Sequence, residues 1–234
     1  MKLNEKKTKQ IVFNFNNDKQ FTTEVRVKDE ALEIVEEVKL LGVVINKNLK
    51  WDNNTSYLVK KANKKMRMLH IAAKFTRNRD HLMQIYKTFI RSNLEFSSNV
   101  WHSSLTKENR QDLERVQKAA LKVILRNDYN DYEEALRLTG LQSLDSRRDM
   151  IGLRFVKNSL RNANFSKLFP LKKINHVMSV RNPLKYHINK ANTERYKRST
   201  IPYLQRLLNK DSQKRKSEFI QMQTFNDCKR RKMG

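Results

Sequence analysis

The sequence predicts an α+β fold: a small antiparallel β unit, then a helical bundle, then a basic, partly disordered C-terminal tail. Three observations lead there. Apolar residues between about 10 and 50 alternate at period two, as on a half-buried strand. From Asp52 the apolar period becomes helical. From residue 172 on, Lys and Arg outnumber acids 17 to four, a net +13, while the apolar pattern fades.

In chain order, QIVFNFN places Ile11, Phe13 and Phe15 on one face, and FTTEVRVK does the same with Phe21, Thr23, Val25 and Val27. The intervening NNDKQ is a turn signal, so the two segments read as a hairpin. LEIVEEV and LLGVVI supply a second antiparallel pair, with Gly42 inside the second strand as a bulge or a close backbone approach.

The first helix starts at Asp52. Leu58, Ala62, Met66 and Leu69 share one face, with Lys60, Lys61, Lys64, Lys65 and Arg67 elsewhere. The second starts near Arg79 or Asp80, with Leu82, Ile85, Phe89, Phe96 and Val100 on its apolar face and Tyr86, Ile90 and Leu94 alongside. Thr106 caps the third, which buries Leu113, Val116, Ala120 and Ile124 and carries Arg115, Lys118, Lys122 and Arg126 on the opposite side. Asp131 caps a short helix that Gly140 stops. Ser143 caps another, running to about Asn162, with Met150, Leu153, Val156 and Leu160 on one face. Beyond Pro170 only YLQRLL (203–208) reads as helical, and a flexible basic tail starts at Lys210.

The chain of 234 residues is long enough to bury a real core. Its 50 Lys and Arg against 24 Asp and Glu give +26. A cation excess of that size repels itself unless a polyanion is near, which points to nucleic acid ahead of an anionic membrane surface. No run of apolar residues is long enough to span a membrane, and the N-terminal MKLNEKKTKQ lacks the apolar stretch of a signal peptide. The lone Cys228 excludes an internal disulfide framework and a Cys-rich zinc site, and fits a reducing compartment.

Catalytic patterns are missing. A two-metal polymerase or nuclease needs converging carboxylates, and no Asp-Asp pair occurs in the sequence. Nor does a His-Glu-x-x-His, a Walker-type phosphate loop or a Gly-x-Ser-x-Gly elbow. The chain is expected to hold no metal and no cofactor. What remains is binding chemistry: two helices with cationic stripes opposite apolar ones, at spacings that suit backbone phosphates.

Six segments, taken in order, carry a family resemblance: KKTKQIVFNF (6–15), KLLGVVINKNLKW (39–51), IYKTFIRSNLEFSSNVWHSSL (85–105), LERVQKAALKVIL (113–125), YEEALRLTGLQSLDSRRD (132–149) and TERYKRSTIPYLQRLLN (193–209). Together they resemble the C-terminal portion of a non-LTR (LINE-type, jockey-like) retrotransposon reverse transcriptase. The resemblance runs from about residue 4 to 209. It implies a chain that begins after the palm's catalytic Tyr-x-Asp-Asp and holds the last palm elements, the primer grip and the thumb. NEKKTK is similar to the motif after the catalytic aspartates, where Lys7 matches the lysine that assists departure of pyrophosphate. Leu40, Leu41 and Gly42 match the family's primer-grip signature. The intact family enzyme uses Mg. The fingers, most of the palm and the endonuclease domain have no counterpart in this sequence.

The resulting division is a palm remnant and primer-grip-like β unit (1–51), a thumb-like bundle (52–127), further helices (128–170), a basic connector (171–209) and a tail (210–234). The expected function is that of a truncated RNA-directed DNA polymerase fragment. It keeps non-specific binding of RNA, RNA–DNA duplex or DNA through Lys60, Lys64, Arg67, Arg115, Lys118, Lys122 and Arg126, and has no catalytic centre. Two alternatives stand beside it. One is part of an active reverse transcriptase whose palm lies outside this sequence. The other is a host-recruited interaction protein without nucleic-acid binding, its partner covering the seam left by the palm. The basic clusters QKRKSE and CKRRKMG favour the nucleus over the cytoplasm.

Overall fold

The computed structural model describes residues 4, 8–15, 24–27, 30–172 and 184–232. The fold is α+β, with short strands followed by helices. The chain divides into two compact units, residues 1–146 and 147–234.

Among the described residues, the strands form three separate pairs. β1 (Lys9–Gln10) runs parallel to β4 (Glu33–Ile34), β2 (Arg26–Val27) is antiparallel to β3 (Glu30–Ala31), and β5 (Glu37–Leu40) is antiparallel to β6 (Val43–Asn46). The first hairpin expected from the sequence is therefore replaced. Residues 11–15 form no strand, and Arg26–Val27 pairs with the segment after it. Period-two alternation specifies which side chains share a face, not which strand pairs with which. The expected turn and residues 21–23 lie outside the described residues.

The second hairpin forms, with Gly42 in its turn and not within a strand. Leu41 (φ 47°) and Gly42 (φ 88°) are the two central residues between Leu40 and Val43. Positive φ at both is the turn whose twist matches that of the flanking strands. A Cβ on Gly42 would also stand 3.0 Å from the Phe96 ring. Gly42→Ala is thus expected to cost roughly 1–2 kcal/mol from the left-handed backbone alone, with the ring contact adding to it. Chemical denaturation would read this as a lower midpoint with an unchanged slope.

α1 (Asp52–Phe75) buries the expected Leu58, Ala62, Met66 and Leu69. Its first turn is tied on both sides. The Val44 N–H donates to Asn54 Oδ1 at 3.1 Å, and Asn109 Nδ2 donates to Asp52 Oδ1 at 2.8 Å.

Asn78 caps α2 (Arg79–Ile85), accepting from the N–H groups of Asp80 and His81. The helix then widens into a π-turn over Tyr86–Arg91, resumes as α3 (Ser92–Glu95), breaks at Phe96–Ser97 and continues as α4 (Ser98–Trp101). Leu82, Tyr86, Ile90 and Leu94, each four residues apart, are buried, whereas Phe89, Phe96 and Val100 are exposed. A strict spacing of four drifts around an ordinary α-helix, and the wider π-turn corrects that drift. The expected apolar face is accordingly displaced. The Trp101 indole N–H donates to the Phe96 carbonyl at 3.0 Å and holds the break in place.

Thr106 caps α5 (Lys107–Leu125), its hydroxyl accepting from the Asn109 N–H, and Leu113, Val116, Ala120 and Ile124 are buried as expected. Asp131 and left-handed Gly140 bound α6 (Tyr132–Thr139). A polar chain crosses this core. Tyr86 donates to Gln117; Gln117 donates to the Tyr132 hydroxyl at 2.8 Å; Tyr132 donates to Glu114, which also accepts the Leu144 N–H. Burial, with Glu114 beside it, pushes the Tyr132 phenol well above its ordinary value.

α7 (Leu144–Ser159) starts with the Ser146 N–H donating to the Ser143 hydroxyl. Its buried positions are Leu144, Arg148, Gly152 and Val156, while Met150 is exposed. A face containing an arginine and a glycine leaves little apolar signal, which displaces the expected face.

In the second unit, α8 (Ala163–Ser166), α9 (Glu194–Arg198) and α10 (Thr200–Lys232) follow. Val156, Phe169, Leu204 and Leu208 form its core. The Asn209 side chain accepts from the Tyr186 N–H and donates to the Tyr186 carbonyl, so the basic connector has packing of its own. The helix expected over 203–208 continues through the basic tail to Lys232. After Pro202 in its first turn, no Gly or Pro interrupts it before Gly234.

Candidate nucleic-acid interface

Early residues of α1 face early residues of α5, and late residues face late ones, so the two helices run side by side in the same direction. Thr55, Val59 and Lys60 line a groove of about 350 Å³ with Asp112, Arg115 and Val116. Farther along, His70, Lys74 and Arg77 share a cavity with Val123 and Arg126.

Lys60, Lys64 and Arg67 are exposed on α1 and fall within about 60° of one another, over roughly 10 Å of axis. Arg115, Lys118 and Lys122 are exposed over a similar length of α5. Lys60 and Arg115 flank the shared groove. The six cations thus form two rows on adjacent parallel helices.

The rows differ in how they are held. Among the described residues, no carboxylate pairs with Lys60, Lys64 or Arg67. Asp112 accepts from Arg115. The Lys118 ammonium sits 4.8 Å from the Tyr132 ring centroid, and Lys122 sits 5.4 Å from that of Tyr129. Because Gln117 and Glu114 fix Tyr132, they also fix the platform under Lys118. Arg126 lies past the end of α5 in the left-handed region (φ 54°), and its guanidinium donates to the carbonyls of Ala73 and Thr76. Its Nη2 is engaged by carbonyls at the C-terminal end of α1, so it ties the helices together in addition to adding charge.

The β5–β6 hairpin presents the other predicted residues. Leu41 is 89% exposed at the tip and Leu40 is exposed next to it, while Gly42 rests on Phe96. The hairpin is anchored to α1 close to its tip: Lys39 donates to the Tyr57 hydroxyl at 2.7 Å, which draws that phenol below its ordinary value. Lys7 lies outside the described residues.

Comparison with protein-family models, curated proteins and solved structures finds no match for this chain.

Asp112 is the one acid lining the α1–α5 groove, and it is engaged by Arg115. Among the described residues, no helix is long and apolar enough to cross a membrane. Lys74, Phe75, Arg77 and Arg79 gather where α1 ends and are not among the binding residues expected from the sequence. The signal available was KFTRNR (74–79), a cationic run around one aromatic at a helix end.

Proposed function

We propose that this chain is a reverse-transcriptase-derived fragment that holds a nucleic-acid duplex, RNA–DNA above all, without extending it. One observation carries the reading: α1 and α5 run parallel, with cations on both sides of their shared groove and Lys60, Lys64 and Arg67 without ion pairs among the described residues. Ammonium and guanidinium groups on rigid helices neutralise phosphates and release counterions, which gives affinity without reading bases. The hairpin tip at Leu40, Leu41 and Gly42 would meet the primer end, as the resemblance implies. Import to the nucleus through the basic C-terminal clusters belongs to the same proposal.

A second reading, a host-recruited interaction protein, draws on the exposed apolar side chains of Leu40, Leu41 and Phe96. Fluorescence anisotropy with RNA–DNA duplexes of unrelated sequence separates the two. Equal affinities, within about twofold, are expected from phosphate contacts. Absence of binding to every duplex would leave the interaction-protein reading.

A further inference from the structure

We infer that the cavity at the C-terminal end of α1 is a stacking seat for an unpaired base, so that this chain prefers a duplex carrying a single-stranded overhang. The inference rests on the duplex-binding reading above and names a feature of the strand it would hold.

Phe75, the last residue of α1, is 86% exposed. It lies about 120° around the helix from the buried Leu69 and about 180° from the buried Met66, so it projects away from the core. With Val123 it lines a cavity of about 540 Å³, whose other walls include His70, Lys74, Arg77 and Arg126 and no carboxylate. A second cavity of about 310 Å³ shares Arg77 and Arg126 and adds Arg79, which is paired with Asp128. The site therefore combines an open aromatic face with converging cations, the two elements that sequence-tolerant single-strand sites use.

The end of a helix would ordinarily repel a phosphate, since its last carbonyls carry partial negative charge. Arg126 offsets part of that charge by donating to the carbonyls of Ala73 and of Thr76, the residue that caps α1. Lys74 and Arg77 are then left to meet an incoming phosphate. His70 Nδ1 lies 2.9 Å from the Met66 carbonyl, so in the neutral ring Nδ1 carries the proton and Nε2 remains an acceptor for a base amino group. The cavity lies farther along the same two helices than the groove lined by Lys60 and Arg115, so a strand running on from that groove toward their C-terminal ends would reach it.

The test compares a blunt RNA–DNA duplex with the same duplex extended by a short single-stranded overhang containing 2-aminopurine. The overhang is expected to raise affinity by about tenfold, the lower range for one stacked base, and the 2-aminopurine fluorescence should be quenched. Phe75→Ala should bring the affinity ratio to about one and restore the fluorescence, whereas Phe75→Trp should retain both effects. Equal binding of blunt and extended duplexes by the unaltered protein would overturn the inference and leave the duplex reading standing. Binding of the overhang alone would support the inference and overturn the duplex reading. No binding of either would overturn both. Displacement of the overhang by micromolar free mononucleotide would overturn the assignment to a strand end.

Discussion

Lys60→Ala, Lys64→Ala, Arg67→Ala and Arg115→Ala, introduced together, are expected to weaken binding of an RNA–DNA duplex by roughly two to three orders of magnitude at about 0.1 M salt. Each phosphate contact releases about 0.9 of a counterion, worth roughly a factor of eight between 1 M and 0.1 M salt. Four full contacts would give more than a thousandfold, and contacts that are not all made at once give less. The fold should survive the change. All four side chains are exposed, and the one ion pair lost, Arg115–Asp112, is a surface pair worth under about 1 kcal/mol. Arg126 is left in place because its guanidinium holds the carbonyls at the end of α1. A control with Lys47, Lys107, Arg137 and Lys157 replaced removes the same charge from other elements and should weaken binding far less. A quadruple variant that binds as tightly as the unaltered protein would mean that the duplex is held elsewhere.

Trp101→Ala is expected to destabilise the first unit by about 3–5 kcal/mol, the range for removing a large buried aromatic. Trp101 is fully buried, and it also donates to the Phe96 carbonyl at the break between α3 and α4. The substitution opens a cavity and leaves that carbonyl without its partner. Because Gly42 rests on the Phe96 ring, the hairpin tip should loosen with it. Trp101→Phe keeps most of the apolar contact and loses only the hydrogen bond, so a loss of about 1–2 kcal/mol is expected. Urea denaturation followed by far-UV circular dichroism measures both. A loss below about 1 kcal/mol for Trp101→Ala would show that the break is not held by this residue.

What the sequence disclosed depended on how local the determining physics was. α1 and α5 were legible because their apolar faces repeat at the helical period, with Thr106 marking the start of α5, and α6 because Asp131 and Gly140 mark its ends. The course of the second helix was not, since a π-turn over Tyr86–Arg91 depends on tertiary packing and shifts the buried side from Phe89 and Phe96 to Tyr86 and Ile90. Strand pairing was not legible either. Lys9–Gln10 meets Glu33–Ile34 across more than twenty residues, and nothing local selects that partner. Gly42 stood out in the sequence as a place of close approach, but the neighbour it approaches, Phe96, is more than fifty residues away.

The candidate site was partly legible for the same reason. Helical spacing placed Lys60, Lys64 and Arg67 on one row and Arg115, Lys118 and Lys122 on another. That α1 and α5 lie parallel and bring Lys60 and Arg115 to one groove could not be read locally, because it is fixed by contacts such as Asp52–Asn109. The double role of Arg126 required knowing where α1 ends. The cluster around Phe75 forms only when the ends of α1 and α5 meet, and KFTRNR alone reads as an interhelical loop.

The most direct test of the duplex-holding role is the salt dependence of binding, measured for the unaltered protein and the quadruple variant on one RNA–DNA duplex. Between about 50 and 200 mM salt, log K should fall linearly with log salt for the unaltered protein, and the variant's line should be shallower by about three to four. Parallel lines, or an affinity that ignores salt in both proteins, would contradict the assignment of the α1–α5 face as a phosphate-binding surface.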